Sequence, residues 1–301
     1  MAPDSRIAVV LLSYNGRRRI DRSLERLTAL PEAPRIVVVD NGSTDGTGAH
    51  VRARFPPVTV VSLPRNLGAA GRNAGVRAAN RPYVAFAEDD SWYAPGALAH
   101  AADVLEAHPT IGLIHAHTLV GEEQRPDPIL RDMVDTGVPD AGGLPGHPIL
   151  SFLEGVSIVR AEAYEQAGGF DPRLFVGGSE EHVAAEMLRH GWELRYVPEV
   201  VAHHVPDHRA PAPFVRALGL RNTLWFVWLR RPWRPALRWT AHVIADSPRN
   251  AATLRGVAAA LAGLPWVLRE RRPLPPDVER RWALLDHARM TSEARRYGRV
   301  R

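Results

Sequence analysis

Apolar runs alternate with segments of helical periodicity over the first third of the chain. Four runs are rich in apolar and β-branched residues: residues 6–12, 35–39, 58–63 and 83–87. Such nearly continuous runs are typical of strands that are buried on both faces. Between the first two runs, Ile20, Leu24 and Leu27 repeat at the spacing of one helix face. The alternation predicts an α/β protein with a mostly parallel central sheet flanked by helices.

This rhythm breaks after Ile114. Residues 121–148 are rich in proline, glycine and aspartate, and they are predicted to form one long loop. Loops of that length in a compact domain often act as lids over a binding site. A helical pattern returns at residues 180–190, and an apolar run at 194–197 predicts a further strand.

The composition changes again near Pro211. Four later segments have helical patterns: residues 214–231, 235–247, 249–270 and 277–297. We therefore expect two parts, an α/β domain over residues 1–210 and a helical C-terminal extension over residues 211–301.

Two residue types are missing from the chain. Without cysteine, disulfides and thiolate zinc sites are excluded. Without lysine, all 38 basic side chains are arginines, so a P-loop and Schiff-base chemistry on lysine are excluded. The apolar fraction of 45% is that of a globular protein with a full hydrophobic core.

The formal net charge is +5, and arginines are concentrated late in the chain. Segment 214–231 mixes Phe214 and Trp225 with several arginines, a combination that suits a peripheral contact with a membrane surface. Packing of these aromatic side chains onto the α/β domain is an equal alternative. No nucleic-acid motif accompanies the basic residues, so we expect no nucleic-acid partner.

The N-terminal residues lead into the first predicted strand without the apolar stretch of a signal peptide. The longest apolar run, residues 256–268, is too short to span a bilayer and contains Pro265. We therefore expect a cytoplasmic protein that is at most peripheral at the inner face of the plasma membrane.

Carboxylates follow two of the predicted strands where each strand ends. Asp40 closes the second run, and Glu88, Asp89 and Asp90 follow the fourth. Burying such charge without a partner is costly, and ligands of open α/β sheets bind at the carboxyl ends of the strands. Oxygen ligands at this edge suit a divalent cation that holds phosphate oxygens. These residues therefore predict a site for a metal-bound nucleoside diphosphate.

Six motifs stand in order between residues 6 and 205. They are VLLSYN at 10–15, VVVDNGSTDGT at 37–47, NLGAAGRNAG at 66–75, EDD at 88–90, GGFDPRLF at 168–175 followed by Glu180 and Glu181, and YVP at 196–198 followed by His203 and His204. Each motif alone is weak. In this order they resemble the family 2 glycosyltransferases, which have the GT-A fold.

The resemblance implies a donor site at the carboxyl edge of the sheet. By matching position, nine side chains would contact a nucleotide sugar: Ser13, Tyr14, Asn15, Asp40, Asn41, Asn66, Arg72, Asn73 and Asp89. Among them, Asp40 would help to hold the base and ribose, Arg72 would lie near the phosphates, and Asp89 would contact ribose or sugar hydroxyls.

A metal site follows from the same resemblance. Asp90 would coordinate Mg²⁺ or Mn²⁺ on the diphosphate of the donor, and His204, or its neighbour His203, would approach the metal or the diphosphate. The usual Asp-X-Asp of the family begins here with Glu88, whose side chain is one methylene longer. We therefore do not expect Glu88 to be a direct metal ligand.

The acceptor side of the site is implied by position as well. Glu181 matches the carboxylate that acts as the base in the family, and Glu180 stands beside it. The usual Glu-Asp pair thus reads Glu-Glu, which leaves open which residue accepts the proton, because catalysis is sensitive to displacements of about 1 Å. Glu154 and Gly155 lie at a bend that faces the acceptor in the family.

The resemblance thus predicts an inverting, metal-assisted glycosyltransferase that moves a sugar from a nucleoside-diphosphate sugar to an acceptor hydroxyl, in cell-envelope or polysaccharide assembly. Two alternatives remain. A sugar-phosphate nucleotidyltransferase would need a glycine-rich loop after the first strand and usually lysines. A non-catalytic nucleotide-sugar binding protein would keep Asp40 and lose the base, whereas Glu180 and Glu181 are both present.

Several other polar positions are assigned structural roles. Asp45 is predicted to form a turn, and Ser43 or Thr44 to cap the helix that follows. His115 and His117 stand two apart on a strand, where a structural role is favoured over a metal pair. The glycines of the third motif do not have dinucleotide-loop spacing, and they indicate close helix packing.

Overall fold

The computed structural model describes residues 4–140, 142–206 and 213–291. Within these residues ten strands form one sheet: β1 (Ile7–Ser13), β2 (Arg35–Asp40), β3 (Thr59–Ser62), β4 (Tyr83–Glu88), β5 (Ser91–Tyr93), β6 (Ile111–Val120), β7 (Arg125–Pro126), β8 (His147–Pro148), β9 (Ser157–Arg160) and β10 (Glu193–His204). The main strand order is β3-β2-β1-β4-β9-β6-β10-β5, and β7 and β8 pair at the side with β6 and β10.

Helices flank this sheet and continue past its last strand. In the same described ranges they are α1 (Ile20–Thr28), α2 (Thr47–Arg54), α3 (Gly71–Ala79), α4 (Ala97–Ala107), α5 (Ile129–Val134), α6 (Ala161–Gln166), α7 (Ser179–Arg189), α8 (Pro213–Arg230), α9 (Trp233–Asp246), α10 (Ala251–Ala262), α11 (Leu264–Glu270) and α12 (Pro276–Thr291). Short 3₁₀ turns precede α3 and β9.

The sheet is parallel in its first half and mixed in its second. β1 pairs in parallel with β2 and β4, so the strand ends at Ser13, Asp40 and Glu88 lie at one edge. β9 runs antiparallel between β4 and β6, and β5 runs antiparallel to the end of β10. The predicted α/β class is confirmed. The antiparallel β9 lies in the part of the chain where the alternating rhythm of the sequence has stopped.

Alternate residues of the buried strands enter two cores, one on each face of the sheet. Val10 and Val39 pack with α3 in one core, whereas Leu11 and Val38 pack with α1 in the other. Because neither face of these strands meets water, their sequences show no polar alternation.

Glycines allow α3 to lie directly on the sheet. A Cβ at Gly75 would lie 2.3 Å from Val10 Cγ1 and 2.8 Å from Val39 Cγ2. A Cβ at Gly71 would lie 2.8 Å from Leu12 Cδ1. The prediction that the glycines of this motif serve close helix packing is therefore confirmed for Gly71 and Gly75, whereas Gly68 precedes α3 and approaches the backbone of Phe175.

Residues 121–148 are not one open loop. They contain β7, α5 and β8, and Leu130 and Met133 of α5 are buried in the main core. Because β7 pairs with β6 and β8 pairs with β10, the segment is attached to the sheet at two places. The prediction of a single long loop is wrong, because strands of two residues are too short to show a period of two in the sequence.

α2 begins without the predicted side-chain cap. Its N-cap residue is Gly46, with a positive φ of 83°. Ser43 Oγ accepts a hydrogen bond from Asn15 N–H at 2.9 Å, and Thr44 N–H donates to Asn15 Oδ1 at 2.9 Å. Both residues therefore join two loops instead of capping the helix. Asp45 forms the predicted turn, since its carboxylate accepts from the first N–H of α2 at 3.0 Å.

The C-terminal helices share the core of the α/β part. Phe226 of α8 and Trp282 of α12 belong to the same core as Val183 and Met187 of α7. Trp225 and Phe226 of α8 are buried, so packing accounts for these aromatic residues, whereas Phe214 at the start of α8 is 59% exposed. The predicted domain boundary between residues 210 and 211 lies outside the described residues and stays a prediction, as does the end of the last helical segment at residue 297.

A helix needs both sufficient length and an apolar sequence to span a membrane. Within residues 4–140, 142–206 and 213–291, no single helix combines the length and the apolar character of a span. α10 and α11 reach both only when they are taken together, across a bend of 51°.

Replacing Gly75 by alanine tests the close contact of α3 with the sheet. We expect Gly75→Ala to lower the free energy of unfolding by about 1–3 kcal/mol, because the new methyl group would overlap Val10 and Val39. Urea unfolding measures the change. The matched control is Gly219→Ala in α8, where a Cβ would meet nothing within 4 Å, and this change should be neutral or stabilise by up to about 1 kcal/mol. Equal effects of the two substitutions would contradict the packing argument.

Candidate active site

The carboxyl ends of β1, β2 and β4 bring several predicted residues together. Ser13 and Asp40 are partners in register at the ends of β1 and β2. Ser13 Oγ donates to Asp89 Oδ2 at 2.8 Å, and Asp40 Oδ1 accepts from Ser43 N–H at 3.1 Å. The carboxylate that ends β2 and a carboxylate that follows β4 therefore both lie beside one serine.

Arg19 is not among the residues predicted from sequence, yet it completes this edge. Its guanidinium donates to both oxygens of Asp89 at 3.0 Å. Burial raises the pKa of Asp89, although the hydrogen bonds from Arg19 and Ser13 act in the opposite direction. Arg19 is one of three consecutive arginines, and no local pattern links it to a partner 70 positions away.

Asn41 and Asn66 hold the loops that border the same edge. Asn41 Nδ2 donates to Asn66 Oδ1 at 3.0 Å, and Asn41 Oδ1 accepts from Leu67 N–H at 2.9 Å. Tyr14, at the end of β1, is 46% exposed, so its ring is accessible to a ligand. The asparagines thus hold the loops that line the cleft, and the exposed ring of Tyr14 is available to contact a ligand.

Glu88, Asp90 and His204 form a candidate metal centre. One ligand atom from each residue lies within 4.8 Å of the other two. His204 Nε2 is 3.5 Å from Asp90 Oδ1, which is buried and has no hydrogen-bond partner. Burial, followed by the charge of Glu88, raises the pKa of Asp90 to about 6. Two carboxylates and an imidazole around an unsatisfied oxygen fit a divalent cation such as Mg²⁺ or Mn²⁺.

Glu88 lies in this group, contrary to the expectation from sequence, and the structure distinguishes between His203 and His204. Glu88, which was not expected to be a ligand, is placed in the group because β4 continues to its position. His204, and not His203, lies in the group. The ring of His203 stacks on Trp92 with centroids 5.4 Å apart, and its Nδ1 is hydrogen-bonded to Gln124.

Arg72 links the metal centre to a second acidic group. Its guanidinium donates to Glu88 Oε1 at 2.6 Å and to Glu154 Oε2 at 2.9 Å, and the side chain is only 1% exposed. Burial and the charges of Glu88 and Glu181 raise the pKa of Glu154 to about 7, although Arg72 lowers it. The arginine predicted near the phosphates is thus enclosed by carboxylates that themselves border the cleft.

Glu180 and Glu181 begin α7 beside this second group. Burial and the charges of Glu154 and Glu181 raise the pKa of Glu180 well above its usual value. The charge of Glu181 acts in the same way on Glu154. The two glutamates of the motif and the predicted acceptor-side residue therefore belong to one acidic group, which Arg72 connects to the metal centre.

Gly155 brings the backbone close to the metal centre. A Cβ at this position would lie 3.0 Å from Glu88 Cγ. Its carbonyl oxygen accepts from Ser91 Oγ at 2.9 Å, and Ser91 Oγ in turn accepts from Glu88 N–H at 2.8 Å. The bend at Gly155 therefore supports the end of β4.

The side chains of Asn73, His115 and His117 form hydrogen bonds with other groups of the protein. Asn73 Nδ2 donates to the carbonyl oxygen of Phe170 at 2.8 Å, and Asn73 Oδ1 accepts from Phe170 N–H at 3.1 Å. His115 and His117 are each bonded through Nδ1 to a hydroxyl group, at 2.9 and 2.6 Å. The structural role predicted for the histidines is confirmed. Asn73, predicted to contact the nucleotide, has its amide engaged with the loop before α7.

Solved structures share this architecture. The mannosyltransferase PcManGT from Pyrobaculum calidifontis, in complex with GDP-Man and Mn²⁺, has a TM-score of 0.58 and 21% identity, over 95% of this chain and 88% of that chain. S. aureus TarS 1–349, in complex with UDP-GlcNAc, has a TM-score of 0.58 and 15% identity, over 97% and 88%. The curled sheet, its flanking helices and the helical C-terminus are those of the GT-A fold.

The sequence comparisons give the family. Residues 8–153 match the model of Glycosyl transferase family 2. The N-acetylglucosaminyl-diphospho-decaprenol L-rhamnosyltransferase of Mycobacterium tuberculosis is 26% identical, over 78% of this chain and 88% of that protein. The family model, the curated relative and the solved structures together support a family 2 glycosyltransferase, as the order of the motifs predicts.

Removing the charge of Asp90 should separate metal binding from stability. At neutral pH we expect Asp90→Asn to raise the melting temperature of the metal-free protein by about 2–4 °C, because burial and Glu88 disfavour the ionised carboxylate. The same change should abolish any stabilisation by Mn²⁺. Thermal unfolding with and without Mn²⁺ measures both effects. The control Asp246→Asn, at an exposed position of α9, should change neither, and a wild-type response of Asp90→Asn to Mn²⁺ would count against this centre.

The pKa of Glu154 predicts a pH dependence of stability. Between its ordinary value and about 7, native Glu154 keeps a proton that the unfolded chain has released. The free energy of unfolding should therefore fall as pH rises through this window. Glu154→Gln should remove about 1–3 kcal/mol of that change, as measured by urea unfolding from about pH 5 to pH 8. The exposed control Glu165→Gln should keep the wild-type slope; an unchanged slope in Glu154→Gln would show that Glu154 titrates normally.

Proposed function

We propose that the enzyme transfers a sugar from a nucleoside-diphosphate sugar to an acceptor hydroxyl, with metal assistance and inversion at the anomeric carbon. One observation carries the proposal: Arg72 bonds Glu88 of the candidate metal centre and also Glu154, whose pKa is raised by burial and by the nearby charges of Glu88 and Glu181. Residues suited to bind a diphosphate-bound cation and residues suited to accept a proton therefore share one cleft.

The donor would bind along the carboxyl ends of β1, β2 and β4. The exposed ring of Tyr14 and the carboxylate of Asp40 would meet the base and ribose, and Asp89 would meet ribose or sugar hydroxyls. Ser13 and Arg19 hold Asp89 in place for this contact. The GDP-Man and UDP-GlcNAc complexes of the structural neighbours support a nucleotide sugar as the donor class.

Glu88, Asp90 and His204 would hold Mg²⁺ or Mn²⁺. When bound, the cation neutralises charge that develops on the departing diphosphate. The buried, unpaired oxygen of Asp90 supports this assignment, because such an oxygen is costly unless a ligand engages it. The Mn²⁺ in the PcManGT complex supports a divalent cation in the same fold.

Glu181 is the proposed base. A hydroxyl is a poor nucleophile until a carboxylate within hydrogen-bond reach accepts its proton. Burial and neighbouring carboxylates raise the pKa of Glu180, which favours its protonated form, and a protonated carboxyl cannot take up the proton of the acceptor hydroxyl. Attack by the activated hydroxyl on the face opposite the departing diphosphate would invert the anomeric centre, by analogy with single-displacement glycosidases.

The acceptor would approach from the side of Glu154 and Gly155. The M. tuberculosis relative acts, by its name, on N-acetylglucosaminyl-diphospho-decaprenol. A second relative is a succinoglycan biosynthesis protein of Rhizobium meliloti, 30% identical over 31% of this chain. These relatives support an acceptor hydroxyl on a saccharide of cell-envelope or polysaccharide assembly.

Donor binding is tested by thermal unfolding with uridine, guanosine and thymidine diphosphates and their sugars, each with and without Mn²⁺. A ligand present at about 100 times its dissociation constant adds about 2.7 kcal/mol to the free energy of unfolding. We expect one base to raise the melting temperature, with a larger shift when Mn²⁺ is present. If no nucleoside-diphosphate sugar shifts the melting temperature, the proposed donor class is wrong.

The base is tested with the donor found in that screen. Glu181→Gln should lower kcat by about 10²–10⁴-fold while donor binding is retained, because the amide cannot accept the proton. Glu180→Gln is the matched control and should keep substantial turnover. Wild-type turnover in Glu181→Gln alongside an inactive Glu180→Gln would transfer the role to Glu180. The anomeric configuration of the wild-type product, read by NMR, tests inversion.

A further inference from the structure

α10 and α11 expose an apolar stripe on their outer side. Leu254, Leu261 and Leu268 are 73%, 52% and 55% exposed. Leu254 and Leu261 are seven residues apart in α10, which is close to two helical turns, and Leu268 is exposed on α11 beyond the bend; the exposed Ala258 and Pro265 lie between them. The three leucines therefore all lie on the side of the helices that faces away from the core.

The opposite side of the same helices is used for packing. Ala260 and Val267 are buried in a small core with Leu220 and Trp225 of α8. A Cβ at Gly256 would lie 2.8 Å from a backbone oxygen of α8. The helices are thus attached by one face, and more than half of the surface of each leucine of the stripe stays exposed. A row of exposed leucines, unlike a single one, indicates an interaction surface.

The charges beside the stripe are positive. Between residues 247 and 268 the sequence contains Arg249 and Arg255 and no acidic residue. Arg269 follows with a side chain that is 75% exposed. The acidic Glu270 is bound by Arg173 at 2.8 Å. Arg269 lies 3.4 Å from Glu270, but the stretch 247–268 offers no acidic residue to Arg249 and Arg255, so pairing of two copies through this stripe would bring these arginines together, which disfavours a dimer.

We propose that α10 and α11 lie on the surface of an anionic lipid bilayer. The three leucines would enter the boundary between headgroups and acyl chains, and Arg255 and Arg269 would lie near lipid phosphates. The 12 residues of α10 extend about 18 Å, short of the ~30 Å hydrocarbon layer. The bend of 51° before α11 also fits helices that lie in the interface. The proposal is independent of the sugar-transfer reaction.

This surface differs from the one that the aromatic and basic composition of segment 214–231 indicates. In α8, Trp225, Phe226 and Leu229 are buried, so their apolar area cannot reach lipid. The exposed leucines of α10 and α11 can reach lipid, and so can Phe214 of α8 and Leu237 of α9, which are 59% and 65% exposed.

Flotation of the full chain with vesicles tests the proposal. The vesicles are phosphatidylcholine with and without phosphatidylglycerol, and no nucleotide sugar is added. We expect binding to the anionic vesicles only. Leu254→Asp combined with Leu261→Asp should lower the bound fraction by about tenfold or more, because two leucines no longer enter the bilayer. Arg255→Glu should lower it by about fivefold or more.

Matched substitutions on α12 control for charge and folding. Leu284 is 42% exposed, and Arg280 is exposed. Leu284→Asp and Arg280→Glu should float like the wild type, and circular dichroism with melting curves verifies that every variant is folded. The proposal is overturned if the wild type does not bind anionic vesicles, or if the double leucine variant binds them normally. A dimer in solution that the double variant converts to monomer, without vesicle binding, would assign the stripe to a second copy.

Discussion

The guanidinium of Arg72 is the positive charge on which the acidic cleft depends. It is buried between Glu88 and Glu154, with the charges of Glu180 and Glu181 close by. Removing one partner of a buried ion pair costs about 3–5 kcal/mol, because the remaining charge is left without compensation. Replacing this arginine would therefore destabilise several carboxylates together. Its position on α3, which glycines hold against the sheet, ties the fold directly to the cleft.

The cleft remains electrostatically unfavourable in spite of Arg72. The pKa values of Asp90 and Glu154 are raised to about 6 and about 7, so each carboxylate is more costly to ionise than in water. This is the pattern expected of a site whose residues are arranged for a ligand and not for stability. A cation bound by Asp90 and His204 would offset part of the cost. Stability and ligand binding are thus linked through the same few side chains.

Much of the fold could be predicted from local sequence patterns. The runs that form β1, β2 and β4 have no polar alternation because both faces of each strand are covered, and the carboxylates that follow them mark the ligand edge. The prediction failed for residues 121–148, where β7 and β8 are too short to show a period; β7 pairs with the end of the preceding β6, and β8 pairs with the distant β10. The prediction of a side-chain cap for α2 was also wrong, because Ser43 and Thr44 form hydrogen bonds with Asn15 in the loop after β1.

By itself, the sequence determined the α/β class, the family and the carboxylates at the strand ends, because these follow from local periodicity and from motif order. Only the tertiary structure decided which partners those residues meet. It placed Arg19 on Asp89 across 70 positions, chose His204 over His203 for the candidate metal centre, and turned the leucines of α10 outward. Such pairings leave no local signal, because residues distant along the chain become neighbours only when the sheet and helices pack.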